Sequence, residues 1–230
     1  MSNSIENQIQ QGMRQQLQQW RDALDSGSQR IGWKVGFNRE SDQQSAGLPT
    51  PQIGYLLAER CYQQQGKHHC GNSDSLLIEG EIAIQLSQPL TANSTAEEAE
   101  AAIGSYATAL ELINTARNKG NNITTLLASN LVHEAVLLGK QKTATLELKQ
   151  LSATLTVNGE VVRTLDTSRV PDAFGSLLCQ IAKILEEHGE QLQASDWIIT
   201  GAATTPIPVK QGDNIKFKLS ELDEVSLTIT

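Results

Sequence analysis

Ile78-Glu79-Gly80-Glu81-Ile82-Ala83-Ile84-Gln85-Leu86 reads as a strand along its whole length: positions 78, 80, 82, 84 and 86 alternate with Glu79, Glu81, Ala83 and Gln85. That period of two is the pattern of a half-buried strand. Side chains two apart share a face, about 6–7 Å from one another at about 3.3 Å rise per residue. Glu79 and Glu81 therefore point the same way, with no Lys or Arg between them or within four positions on either side. Two such carboxylates repel unless a cation lies between them or one of them holds a proton. An all-oxygen site suits a hard divalent ion such as magnesium, manganese or calcium. The plainer alternative is a strand whose outer face is simply wet.

Working outward, Ile5, Ile9, Met13, Leu17, Trp20 and Leu24 recur at helical spacing ahead of Gly27, which predicts an N-terminal helical segment over residues 1–29. Residues 30–37 read as a strand entering a loop. Residues 38–75 read as irregular loops and short strands, with turns at 47–49 and 66–72. Ser94 and Thr95, with Glu97 and Glu98, open an Ala-rich helix that gives way near Ala109 to the strand Leu110-Glu111-Leu112-Ile113. There Glu111 faces away from its two leucine neighbours. Asn158-Gly159 between alternating runs predicts a two-residue hairpin. Pro171 in a first turn and Gly189 at the far end bracket another helix. Strands over 196–201 and within 215–229 complete the chain. Many strands and three or four helices without a βαβ rhythm predict an α+β fold with a curved, mostly antiparallel, barrel-like sheet. Residues 30–230 would then form a single catalytic domain.

Composition narrows the function. Lys and Arg total 18 against 26 Asp and Glu, a net charge of -8 in 230 residues, so no basic stripe exists to neutralise nucleic-acid phosphates. No apolar run approaches a bilayer span, and no signal-peptide core precedes residue 20. Cys61, Cys70 and Cys179 are odd in number and lack metal-site spacing, which suits reduced thiols in a cytoplasm. GxGxxG, Walker, HExxH and GxSxG motifs are all missing.

Among the other polar residues, Lys34 lies between Gly32-Trp33 and Val35-Gly36. A partly desolvated ammonium there would bind a small carboxylate or serve proton transfer; alternatively it snorkels from an edge strand. His188 beside Gly189 reads as a helix-end residue. His68-His69 beside Cys70 could take a soft metal, although adjacent residues rarely chelate together. His133, near Asn130 and Glu134, reads as a satisfied histidine.

The order of these pieces is more specific than any one of them. Gly32-Trp33-Lys34-Val35-Gly36, the 78–83 strand, Ala109-Leu110-Glu111-Leu112-Ile113, Ala128-Ser129-Asn130, Asn158-Gly159-Glu160 and Thr200-Gly201-Ala202 with Gly212-Asp213 follow one another. This succession resembles the 2-oxopent-4-enoate (2-hydroxypentadienoate) hydratase and 4-oxalocrotonate decarboxylase family, of fumarylacetoacetate-hydrolase-like fold. The resemblance implies that Glu79, Glu81 and Glu111 hold Mg2+ or Mn2+. It also implies that Lys34, Asn130, Gly201 and Ala202 line a substrate pocket, with Lys34 catalytic. Three Glu oxygens leave about half of an octahedral ion open for water and a bidentate 2-oxo acid. The expected activity is a metal-dependent lyase, hydratase or decarboxylase, working through a metal-stabilised enolate on a small 2-oxo or 2-hydroxy-dienoic acid. A homo-oligomer, with a partner decarboxylase or hydratase subunit, is the expected assembly.

The chain departs from the family pattern at Gln52 and Ser129, where acids are expected, at Asn114-Thr115-Ala116, at Thr164-Leu165-Asp166-Thr167, and at Thr204-Thr205. The metal shell is whole while the pocket around it is altered. That points to a different substrate, or to slower or absent hydration. Two alternatives stay open: a non-catalytic metal- and oxo-acid-binding homologue, and an acylpyruvate-type C–C hydrolase, ranked lower because no His–acid pair is evident from sequence.

Overall fold

The structure, a computed structural model, describes residues 4–70, 75–143 and 146–230. The first helix, α1 (Ile5–Asp25), is capped by the Ser4 hydroxyl, which accepts from the Asn7 N–H at 3.3 Å. Its stripe of Met13, Leu17 and Trp20 is buried. The side-chain amide of Gln16 donates to the carbonyls of Ile53 and Leu127, at 3.1 and 2.9 Å, which locks the helix to the rest of the chain.

β1 (Arg30–Gly36) runs as expected, but the next segment is more ordered than its sequence predicts. It holds a helix, α2 (Glu40–Ala46), then β2 (Gln52–Leu57), β3 (Cys61–Gln63) and β4 (Gln65–His68). Residues 66–68, read as a turn, are thus strand, paired in parallel with residues 227–229. Gly71 and Asn72 of that expected turn lie outside the described residues.

β5 (Leu76–Leu86) contains the diagnostic stretch. The following helix, α3 (Ala96–Ala101), carries the capping box between Thr95 and Glu98 but lasts only six residues. β6 (Ile103–Asn114) begins there rather than near Ala109. Gly104, Ser105, Tyr106 and Thr108 are weak helix formers, and pairing with β5 along nearly its full length satisfies their backbone instead.

α4 (Ile123–Ala128), β7 (His133–Leu138), β8 (Ala153–Val157) and β9 (Glu160–Thr164) follow. Asn158 and Gly159 turn the last hairpin with φ of 53° and 91°, the positive pair that a type I′ turn requires. α5 (Gly175–Glu187) starts four residues after Pro171, so the proline is not in its first turn. Its entry is set by Glu100, whose carboxylate accepts from the Gly175 N–H at 2.6 Å. β10 (Trp197–Ala202), β11 (Ile207–Pro208), β12 (Asn214–Leu219) and β13 (Glu224–Ile229) finish the chain.

The large sheet has the order β2-β1-β10-β5-β6-β7-β3, with β11 on β5; the smaller runs β4-β13-β12-β8-β9. Three pairings are parallel, β1/β10, β3/β7 and β4/β13, and the others antiparallel. The fold is α+β, a curled mixed sheet forming a half-barrel with flanking helices. Ile78, Ile82, Ile84, Leu110 and Leu112 join Ile215 and Phe217 in the main core. The opposite face of β5 and β6 is also interior: Ala83, Ala107 and Ala109 form a second buried cluster with Val136, Leu138 and Ile199. The wet-face alternative for Glu79 and Glu81 fails on this point, because their face is covered by this second cluster and Glu81 is fully buried. No helix among the described residues is long and apolar enough to cross a membrane.

Candidate active site

Glu79 and Glu111 are directly opposite on β5 and β6, and Glu81 lies two residues along. One carboxylate oxygen from each falls within 4.8 Å of the others, the one such grouping of potential metal ligands among the described residues. His68, His69 and Cys70 form none. Glu81 and Glu111 are buried, and Glu79 is part-exposed toward a cavity of about 470 Å³. Lys34, Glu79, Glu111, Gly201 and Ala202 line that cavity together with Phe37, Asp42, Leu131 and Arg169.

Two β-bulges aim the groups around the carboxylates. Between Ile199 and Ala202 the register of β10 against β5 shifts by one, which leaves Thr200 and Gly201 opposite Ile82. The Gly201 N–H then donates to Glu81 Oε2 at 2.8 Å. Gly201 has φ 99°, and a Cβ there would meet the Asn38 amide at 2.6 Å, so the position requires glycine. The second bulge falls between Leu112 and Ile113, where β6 pairs with β7. It brings His133 opposite Ile113, onto the Glu111 face, where an unbroken register would put Glu134. His133 Nδ1 donates to Glu111 Oε1 at 2.7 Å, while Glu134 turns outward to Arg60 and Arg117, both at 3.0 Å. His133 is thus a buried, hydrogen-bonded histidine, and its partner is Glu111 rather than its sequence neighbours Asn130 and Glu134. The sequence offers no signal for this contact, which depends on register across 22 residues.

Lys34 does not snorkel. Its Nζ is 2.5 Å from Glu111 Oε1 and donates to the Leu131 carbonyl at 3.3 Å. β2 runs close beside it: a Cβ at Gly54 would sit 2.8 Å from Lys34 Cγ and 2.6 Å from Asn130 Oδ1. Asn130 itself does not line the cavity. Its Oδ1 accepts from the Tyr55 N–H at 2.8 Å and its Nδ2 donates to the Tyr55 carbonyl at 2.9 Å, so its amide completes β2 as a strand would. Asn130, Leu131 and Val132 have φ of 56°, 50° and 55°, one turn wound left-handed. Each such non-glycine residue costs about 1–2 kcal/mol. This turn directs the Leu131 carbonyl at Lys34.

Burial and then Glu111 push Glu79 up to about 7, against the pull of Lys34. Burial, Glu111 and Glu79 hold Glu81 well above the usual carboxylate range. Burial acts on Glu111 too, yet Lys34 and His133 hold it below its ordinary value. Burial keeps His133 neutral by lowering its pKa, with Glu111 opposing. Glu81 Oε1 is buried and has no hydrogen-bond partner among the described residues. A buried orphan oxygen among converging carboxylates is what a hard cation would satisfy, so the donor set fits a divalent ion.

The residues that depart from the expected pattern serve the backbone. Gln52 Nε2 donates to the Thr50 carbonyl, Ser129 Oγ to the Leu126 carbonyl, and Thr204 Oγ1 accepts from the Gly80 N–H.

The chain is similar to several known proteins. A 4-oxalocrotonate decarboxylase of Pseudomonas sp. is 22% identical over 208 residues, covering 90% of this chain and 81% of its own. A 2-oxo-hept-4-ene-1,7-dioate hydratase of Escherichia coli is 24% identical over 205 residues, covering 85% and 77%. Among solved structures, 4-oxalocrotonate decarboxylase from Pseudomonas putida G7, complexed with magnesium and adipate, superposes with a TM-score of 0.88 at 24% identity, over 100% of this chain and 87% of that one. Residues 32–230 match the family described as Fumarylacetoacetate (FAA) hydrolase C-terminal, and the chain belongs to that family.

Proposed function

We propose that the protein is a divalent-metal-dependent lyase, a hydratase or decarboxylase, acting on a small 2-oxo or 2-hydroxy-dienoic acid. The observation that carries this reading is the trio Glu79, Glu81 and Glu111, gathered within 4.8 Å at the head of the cavity with Glu81 Oε1 unpartnered. These three would hold Mg2+ or Mn2+. When bound, such an ion supplies Lewis-acid charge at a 2-oxo group, where negative charge gathers as an enolate forms.

The chain's own residues do the rest. The Gly201 N–H fixes the orientation of Glu81, and His133 that of Glu111. Lys34, shared between Glu111 and the Leu131 carbonyl, keeps a proton at Nζ beside the cavity. From there it can neutralise a substrate carboxylate or deliver that proton to carbon. Apolar Phe37, Leu126, Leu131 and Pro206 limit water around the reacting end. The names of the decarboxylase and hydratase relatives support the reaction class. Cys61 and Cys179, both outside any disulfide among the described residues, support a reducing, cytoplasmic setting.

A second reading, a non-catalytic metal- and oxo-acid-binding homologue, is favoured by Gln52 and Ser129, whose side chains bond to nearby carbonyls where acids were expected. Hydrolysis is not favoured. His133 does pair with an acid, but it is buried and does not line the cavity. Steady-state assays with magnesium on 2-hydroxypenta-2,4-dienoate, 4-oxalocrotonate and oxaloacetate decide between the two readings. Turnover of one of them supports the lyase; magnesium binding without turnover of any supports the second reading.

A further inference from the structure

The peptide between Thr200 and Gly201 is gripped at both ends. Its N–H donates to Glu81 Oε2 at 2.8 Å, and its carbonyl, that of Thr200, accepts from Asn38 Nδ2 at 2.8 Å. In a trans peptide the C=O and N–H lie in one plane and point opposite ways, so whatever fixes one fixes the other. Asn38 and Glu81 therefore hold a single rigid unit from two sides. Asn38 also lines the cavity, just ahead of α2.

Glycine makes this grip necessary. Gly201 has φ 99°, and flipping the 200–201 peptide would carry φ to the negative values open to every residue. With no Cβ at 201 the backbone itself does not oppose that flip, which would present the Thr200 carbonyl to the Glu81 carboxylate in place of the N–H. A bulge interrupts the ladder here, and the neighbouring groups are tied elsewhere. Thr200 Oγ1 donates to the Ile82 carbonyl at 3.0 Å, and the Ala203 N–H to the Gly80 carbonyl at 2.8 Å. The Ala203 carbonyl accepts at 3.1 Å from the N–H of Asp166, which clasps its own bend by accepting from Ser168 and Arg169. These bonds hold the chain on either side of the peptide without setting its plane. Keeping Glu81 Oε2 on the Gly201 N–H leaves Oε1, buried and unpartnered among the described residues, as the oxygen free for an ion.

We propose that Asn38 is a positioning residue for the metal site: it fixes the plane of the Thr200–Gly201 peptide, whose N–H in turn orients the Glu81 carboxylate toward the ion. The ion-binding part rests on the functional reading above; the hold on the peptide does not.

Thr200-Gly201 is the one Thr–Gly pair in the sequence, so protein labelled with 13C at threonine carbonyls and 15N at glycine gives one carbonyl–amide NMR correlation, that of this peptide. The carbonyl shift reads the Asn38 end and the amide proton the Glu81 end. Asn38 is not among the residues of positive φ, so its side chain can be exchanged without backbone strain. Asn38→Asp replaces the donor by an acceptor at constant shape, and Asn38→Leu removes both polar atoms. Each should move the carbonyl and the amide proton upfield together in the metal-free protein, and should weaken magnesium affinity in calorimetry about 10-fold. Asn38→Gln, which keeps the donor on a longer stem, should fall between these variants and wild type. An unmoved Gly201 proton overturns the proposal, as does an unchanged magnesium affinity in variants whose correlation has moved. So does a wild-type Gly201 amide that exchanges with deuterium as fast as an open loop, a measurement that needs no variant to fold. If wild type takes up no magnesium while the variants move the proton, the metal reading falls and the hold of Asn38 on Glu81 stands.

Discussion

Lys34 Nζ lies 2.5 Å from Glu111 Oε1, with both side chains almost wholly buried. The lysine is therefore part of the carboxylate cluster before any substrate arrives. The same Glu111 oxygen receives His133, so two donors from different strands converge on one atom. That convergence explains why Glu111 stays ionised while burial and repulsion raise Glu79 and Glu81.

Removing the lysine should expose this dependence. Lys34→Met leaves a buried carboxylate with only a neutral imidazole beside it, at an expected cost of about 3–5 kcal/mol in urea unfolding. Lys34→Met combined with Glu111→Gln should recover most of that loss. Simple additivity of the two substitutions would show that the pair is not coupled.

The pH dependence has a defined sign. Glu79 and Glu81 bind protons more tightly in the native state than in the unfolded chain, near 4.5. Their contribution to the stability of the metal-free protein is full below pH 4.5 and is lost as pH rises through their raised native values, about 7 for Glu79. The melting temperature in EDTA, compared with that of Glu79→Gln/Glu81→Gln to cancel other groups, should fall between pH 5 and 8. The stabilisation by magnesium should grow over the same interval, because the ion displaces those protons. A magnesium shift independent of pH would contradict this.

His133 is expected to act through Glu111. His133→Phe keeps the ring volume and removes the Nδ1 donor, so magnesium affinity should weaken about 10–100-fold. An unchanged affinity in titration would mean that the hydrogen bond does not orient the carboxylate.

Asn130 should matter for folding more than for contact with substrate. Asn130→Asp preserves size and tolerance of positive φ but sets an oxygen against the Tyr55 carbonyl. The expected loss is about 1–3 kcal/mol of stability. An Asp variant as stable as wild type, with impaired ligand affinity, would return Asn130 to the substrate pocket.

The parts legible in the sequence were those with local signals. Alternation in 78–86 disclosed the face shared by Glu79 and Glu81, and the Asn158-Gly159 pair disclosed its hairpin. α2 went unseen because no residue of Glu40–Ala46 is buried, so it has no apolar period to read. It is closed by Gly47, which the sequence showed only as a turn. Pro171 misplaced the start of α5 because the contact that fixes its entry comes from Glu100, 75 residues away. His133 and Arg169 were missed for related reasons. The first reaches the site through a bulge, and the second lies in a segment whose missing glycines were visible but whose path was not.

The left-handed turn at residues 130–132 has a consequence for how this chain can change. Winding three side-chain-bearing residues against their natural hand makes the ledge under Lys34 stiff, since relaxing any of them would unseat Tyr55 and the ammonium together. Innovation is left to the facing rim, where a surface helix and a short acid-clasped bend can be remodelled while the anvil beneath stays put.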